Sequence, residues 1–238
     1  VEVFLVEQAS PSDACVWRTL GRPGKRLRPG DRVEFAPGVF ADVLEQGERG
    51  ARLMRFSDPA VEIAARIGHM PLPPYIRRQD SSEDRDRYQT VYSSPLGSVA
   101  APTAGLHFTP AILDACRGRG ADIARVTLHV GLGTFQPIDD AVVALGRLHA
   151  ERFAITAENA LRMRAARRLI CTGTTSVRVI ESAGLNEASG STDIFIQPGY
   201  RFRHAGAMLT NFHLPETSLL MLVAALLLVI GNTIRLHI

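Results

Sequence analysis

The sequence predicts an α/β main domain, a sheet covered by helices, preceded by a small all-β barrel-like domain. Three observations carry this. Five short β-rich stretches divided by Pro and Gly turns fill residues 1–57. At Asp58-Pro59 the pattern changes to a helix start, which sets domains of 1–57 and 58–238. From residue 98 onward strands and helices alternate, the order of an α/β fold.

In the small domain, residues 1–6, 15–20, 32–35, 39–44 and 52–56 read as strands. Pro23-Gly24, Pro29-Gly30-Asp31, Pro37-Gly38 and Gly47 with Gly50 read as the turns between them. Val1 already lies mid-strand, so this domain is expected to be incomplete at its N-terminus. A helix follows, with apolar Val61, Ile63, Ala64 and Ile67 and a stop at Gly68. Three prolines make residues 69–76 extended. The charge-dense run 77–87 reads as an exposed, mobile loop.

In the main domain, Thr109-Pro110 opens a helix that ends at Gly118 and Gly120, and 123–130 is a strand. Thr156 caps a helix through 167, 169–172 is a strand and 177–182 a helix. Residues 193–197 and 207–212 are strands, and Pro215-Glu216 opens an apolar helix. Its run 219–230 falls short of the roughly 20 residues that cross a bilayer, so it reads as a buried core helix.

With 46% hydrophobic and 21% charged residues, the 238-residue chain is neither disordered nor low in complexity. Cys15, Cys116 and Cys171 are far apart, which argues against a disulfide framework and for a cytoplasmic protein. Of 27 basic residues only Lys25 is a lysine. Arginine suits phosphate and stacked bases, but GC-rich codon usage produces the same excess.

Several segments are suited to chemistry. Alternation along 123–130 puts His129 on the polar face of a strand that ends in Gly131-Leu132-Gly133-Thr134. Thr172-Gly173-Thr174-Thr175-Ser176 lies between a strand and a helix, where first-turn N–H groups hold an anion. Ordinary capping explains one such hydroxyl more easily than four. Asn211 and His213 share a face at a second strand end, and His149 and Glu151 are likewise two apart. A His with a carboxylate can move protons near neutral pH. The small residues from Gly97 to Gly105, Thr103 among them, end at His107 and let something large lie against the backbone. A tight structural crossing would use them too. No HExxH or Cys/His cluster suggests a metal.

Together these segments resemble the S-adenosylmethionine:tRNA ribosyltransferase-isomerase family of queuosine biosynthesis. The resemblance runs through long phrases in family order: 68–76, 87–93, 100–108, 126–137, 172–182 and 210–222. The chain departs from the family in lacking its Asn-Asn-Thr-Arg opening and its closing stretch. Gly146 stands where the family usually has a His. The resemblance implies that the ribosyl part of S-adenosylmethionine moves to the aminomethyl group of 7-aminomethyl-7-deazaguanine at the tRNA wobble position. Epoxyqueuosine forms, and adenine and methionine leave. S-adenosylmethionine would be a co-substrate, with no permanently bound cofactor. His107, His129, His213 and Glu151 are then the expected proton carriers. Thr103, Gly105, Gly131, Gly133, Thr134, Thr174, Thr175, Ser176 and Asn211 are the expected co-substrate contacts. Arg22, Lys25, Arg26 and Arg28, in a loop without acidic residues, and Tyr75 are the expected RNA contacts. A monomer acting on tRNA away from any membrane is expected. The alternatives are a metal-dependent nucleotide hydrolase and a non-catalytic RNA-binding module.

Overall fold

A computed structural model describes residues 1–72, 76, 78–95, 97, 98, 100–131, 140–211 and 217–231, without the side chains of 49, 140, 141 and 228–231. Backbone contacts divide the chain into two compact units, Val1–Asp84 and Arg85–Ile238. Each has its own hydrophobic core.

In the first unit, β1 (Glu2–Ser10), β2 (Asp13–Arg22), β3 (Arg32–Ala36), β4 (Val39–Gln46) and β5 (Ala51–Phe56) form one antiparallel sheet. Its order is β1-β2-β5-β4-β3. All five expected strands are present, and most run further into polar residues than apolar patterning shows, because ladder pairing does not need an apolar side chain. The sheet is open, with β1 and β3 as its two edges, so no closed barrel is formed among the described residues. A helix completes the core where closure would otherwise do so. Ala60 and Ile63 of α1 (Ala60–Ile67) join Trp17, Val43, Met54 and Phe56 in one cluster. Gly68 ends that helix by donating its N–H to Ala64 O, and a Cβ there would lie 2.4 Å from the same oxygen.

The charge-dense run is not a loop throughout, because α2 (Ser82–Arg87) forms within it. Asp84 makes this possible. It accepts from both Nη atoms of Arg78 at 2.6 and 2.7 Å and from the Ser81 N–H at 2.7 Å. The Arg78 guanidinium, and then the Ser81 N–H, hold its carboxyl well below the usual carboxylate range.

In the second unit, α3 (Pro110–Gly118) starts as expected, with the Thr109 hydroxyl accepting from the Ile112 N–H. There follow β6 (Thr127–His129), α4 (Asp140–Leu145), β7 (Arg147–Ile155) and α5 (Ala157–Ala165). Next come β8 (Ile170–Thr172), α6 (Gly173–Ala183), β9 (Ala188–Ile194), β10 (Ala207–Leu209) and α7 (Ser218–Gly231). The architecture is mixed α/β, but the described strands make two small sheets where one was expected. β6-β7-β9 is antiparallel and β8-β10 parallel. The polar run Ala188-Ser189-Gly190-Ser191-Thr192 is a strand because β7 pairs with it, which no apolar alternation signals. Val177, Val179 and Ile180 of α6 pack with Leu128, Ile155, Cys171 and Leu222, so α6 is the central helix of this core. The apolar α7 buries Leu222, Ala225 and Leu226, and no described helix is long and apolar enough to cross a membrane.

Candidate active site

The parallel strands β8 and β10 end side by side, with Thr172 opposite Leu209. Helix α6 starts at once, because Gly173 at φ +83° turns strand into helix within one residue. The expected helix start at 177 is therefore four residues late. Thr174, Thr175 and Ser176 form the first turn of α6 itself, where the Ser176 hydroxyl donates to Thr172 O at 2.8 Å. The carboxyl ends of parallel strands, next to a helix N-terminus, are where open α/β sheets receive ligands. A 3₁₀ turn at Thr103–His107 comes to the same place: His107 Nε2 lies 3.1 Å from Asn211 Oδ1, just beyond β10. Within that turn Ala104 packs on Gly173. The close approach that Gly105 allows is filled by protein, since a Cβ there would lie 2.1 Å from the Tyr92 hydroxyl.

Glu151 of β7 meets α6 at Arg178. It is 3% exposed, and its Oε1 accepts from the Gly131 N–H at 2.8 Å. Its Oε2 lies 2.5 Å from Nη1 of Arg178, which is equally buried. A β7 carboxylate thus joins an α6 guanidinium to the turn that follows β6. His149 does not share this setting. The β7–β9 register slips between Arg147 and Glu151, which breaks simple alternation and leaves His149 exposed while Glu151 is buried.

His129 faces the other way. It pairs with Arg152, and Arg152 with Ser191, so these three lie in a row on one face of the sheet. Leu128, Glu151 and Phe153 lie on the opposite, core-facing side. His129 and Glu151, both expected as proton carriers, thus lie on opposite faces of the sheet. His129 and Arg152 border an open cleft of about 610 Å³. Burial, then the Arg152 charge, lower the His129 pKa below its usual 6.5, against a small opposing effect of the Gly97 backbone. Its buried Nδ1 sits against Gly97 without a hydrogen bond of good geometry.

In the first unit, Arg22, Lys25, Arg26 and Arg28 are all exposed or partly so, and none is buried. Their loop is held from below. Leu27 is fully buried, and Arg52 donates from Nε to Leu27 O, from Nη1 to Ala51 O and from Nη2 to Gly24 O, at 2.6–2.7 Å. Lys25, Arg28 and Arg52 line an open cleft of about 720 Å³, with Glu48 as its acidic member.

Gly133, Thr134, His213 and Tyr75 lie outside the described residues. Among the described residues, no three His, Cys, Asp or Glu side chains cluster as a metal site would require. Sequence reasoning passed over two buried arginines, Arg52 and Arg178. An arginine in a strand or helix ordinarily reads as a solvated side chain, and no local pattern marks these two as interior.

Comparison with known proteins adds the following. The family described as "Queuosine biosynthesis protein" matches residues 1–232. The S-adenosylmethionine:tRNA ribosyltransferase-isomerase of Solibacter usitatus is 54% identical over 228 residues, covering 94% of this chain and 64% of the relative. That of Trichlorobacter lovleyi is 48% identical over 236 residues, covering 94% and 68%. Among solved structures, S-adenosylmethionine tRNA ribosyltransferase from Thermotoga maritima is 29% identical, covering 94% of this chain and 63% of that one, with a TM-score of 0.42. The chain thus spans about two thirds of the length of the relatives it matches.

Proposed function

Because this chain belongs to the queuosine biosynthesis protein family, we propose that it transfers and isomerises the ribosyl part of S-adenosylmethionine onto tRNA. The acceptor is 7-aminomethyl-7-deazaguanine at the wobble position, the product epoxyqueuosine, and adenine and methionine are released. The observation that carries this reading is the 54% identity, across nearly the whole chain, to a relative bearing that activity in its name.

The geometry suits the reaction. A proton must leave the carbon beside the sulfonium, and adenine must be protonated as it departs, in a site that excludes water. His107, oriented by Asn211, stands at the carboxyl ends of β8 and β10 beside the first turn of α6. Thr103, Thr174, Thr175 and Ser176 belong to that setting as co-substrate contacts, and Gly105 shapes it by admitting Tyr92. Glu151 supplies a buried carboxylate against the same helix, and Gly131 is tied to it. His129, on the outer face with Arg152, serves the part of the substrate that reaches that cleft. His213, Gly133 and Thr134 complete the proposed set from the sequence phrases alone.

Nucleoside mass spectrometry of precursor-loaded tRNA, incubated with the protein and S-adenosylmethionine, tests this. Adenine and methionine should appear in step with the modified nucleoside, and S-adenosylhomocysteine as the main product would overturn the reading. The exposed loop carrying Arg22, Lys25, Arg26 and Arg28 is proposed to hold tRNA phosphates, with Tyr75 as a further RNA contact. Changing the four cations to Ser should flatten the log–log salt dependence of tRNA binding by about 0.7–0.9 for each phosphate no longer neutralised. Parallel lines for parent and variant would remove the loop from the RNA interface.

A further inference from the structure

We infer that Arg178 receives the carboxylate of the co-substrate's amino-acid end, an assignment that rests on the ribosyl-transfer reading above. Arg178 lies in the second turn of α6 and is 3% exposed. Its Nη1 meets Glu151, but its buried Nε and Nη2 have no hydrogen-bond partner among the described residues. These two N–H groups share one edge of the planar guanidinium and point in parallel, the arrangement that grips both oxygens of a carboxylate. The same edge of Arg32 does so in this molecule, with Nε to Asp42 Oδ1 at 2.7 Å and Nη2 to Oδ2 at 2.9 Å.

Two other buried charges among the described residues, Arg52 and Glu181, are saturated. Arg52 places all three of its nitrogens on carbonyl oxygens. Glu181, one turn further along α6, collects the N–H groups of Arg203, His204 and Ala205 and the hydroxyl of Tyr200. Buried donors left without acceptors are costly, and charged ones more so, so native proteins keep few of them. The ligand's charge follows from the pair. Glu151 already offsets much of the guanidinium charge, which suits a singly charged carboxylate better than a phosphate. Burial also keeps a polymer backbone away, while a small molecule can be enclosed. The positive end of α6 lies one turn away and favours the same sign of charge.

The test is equilibrium binding of S-adenosylmethionine and of decarboxylated S-adenosylmethionine, which keeps the adenosyl sulfonium but lacks the carboxylate. The parent protein should prefer the carboxylated ligand on the order of 100-fold. Arg178→Met should bind both equally weakly, and Arg178→Lys should recover part of the preference. Equal binding of the two ligands by the parent overturns the assignment without recourse to any variant. A preference that survives in Arg178→Met overturns it too, and tRNA phosphate competing for the Arg178-dependent site would reassign the edge to RNA. If the parent binds neither ligand, the ribosyl-transfer reading fails and takes this assignment with it.

Discussion

Arg52 and Arg178 are both almost fully buried, one in each unit, yet their surroundings differ in kind. Arg52 spends every nitrogen on backbone carbonyls and so knits β5 to the loop after β2. Arg178 is tied to one carboxylate and keeps two donors without partners among the described residues. Nδ1 of His129, a buried ring nitrogen without a hydrogen bond among the described residues, also belongs to the second unit. Burial alone therefore does not separate structural from functional charge in this protein. On the proposed assignment saturation does: Arg52, whose nitrogens all have acceptors, holds the fold, and Arg178, with two donors left over, receives a ligand.

The sharpest way to break this comparison is to remove both halves of the second pair. Replacing Glu151 and Arg178 together by Met should lower unfolding free energy by only about 1 kcal/mol, for the Gly131 N–H that loses its acceptor, since apolar residues substitute well for the buried ion pair itself. Turnover should nevertheless fall on the order of 10²-fold or more. A double variant that folds and keeps turnover would place both residues in the scaffold. Arg52→Met should behave oppositely. Its partners are carbonyls that no second substitution removes, so unfolding free energy should drop by about 3 kcal/mol. The turnover number should hold wherever the protein remains folded, while the KM for tRNA should rise, since Arg52 holds the loop proposed to contact RNA. An unchanged urea midpoint would mean the carbonyls find water instead.

A smaller effect is expected at Gly105. Gly105→Ala pushes a methyl group against the Tyr92 hydroxyl and should cost about 1–3 kcal/mol. Adding Tyr92→Phe, which removes that oxygen, should restore part of the loss in thermal unfolding. If the two changes are simply additive, the crossing is looser than its geometry indicates. The smallest effect concerns pH. His129 has a folded pKa below its ordinary 6.5, so the unfolded chain takes up a proton first. The stability it contributes is intact above about pH 6.5 and is lost as pH falls through the folded value. His129→Gln should therefore lose less stability than the parent between about pH 7 and about pH 5. Identical pH profiles would mean that burial does not act on this ring.

Much of the fold was legible, and for definite reasons. The five strands of the first unit are bounded by Pro and Gly turns, which act locally and so can be read locally. The Thr109 and Thr156 caps act within a single helical turn and appear where the sequence puts them. What could not be read depends on distant partners. β9 is a strand because β7 lies beside it, and the slip near Glu151 that separates it from His149 exists only in that pairing. Gly173 shifted the start of α6 because a positive φ compresses the strand-to-helix turn into one residue, where the hydroxyl-rich run suggested a longer one. The approach of His107 to Asn211 spans 104 residues of sequence, so proximity to a helix could suggest each of them but not their meeting. Arg178 was hidden for the same reason, since its partner Glu151 belongs to another strand and nothing local marks the pair as interior.

The way the Gly24–Arg28 loop is fastened affects how this protein can change over evolutionary time. Its moorings are the buried Leu27 and a set of main-chain carbonyls gripped by Arg52, and neither depends on which side chains occupy positions 25, 26 and 28. Substitutions at those three positions can accumulate without altering the path of the loop. If the loop holds RNA phosphates as proposed, lineages can retune the strength of that hold, or the salt at which they work, one residue at a time. The mutations that selection must refuse lie beneath, at Arg52, Leu27 and Gly21, whose missing side chain leaves the space that Leu27 occupies.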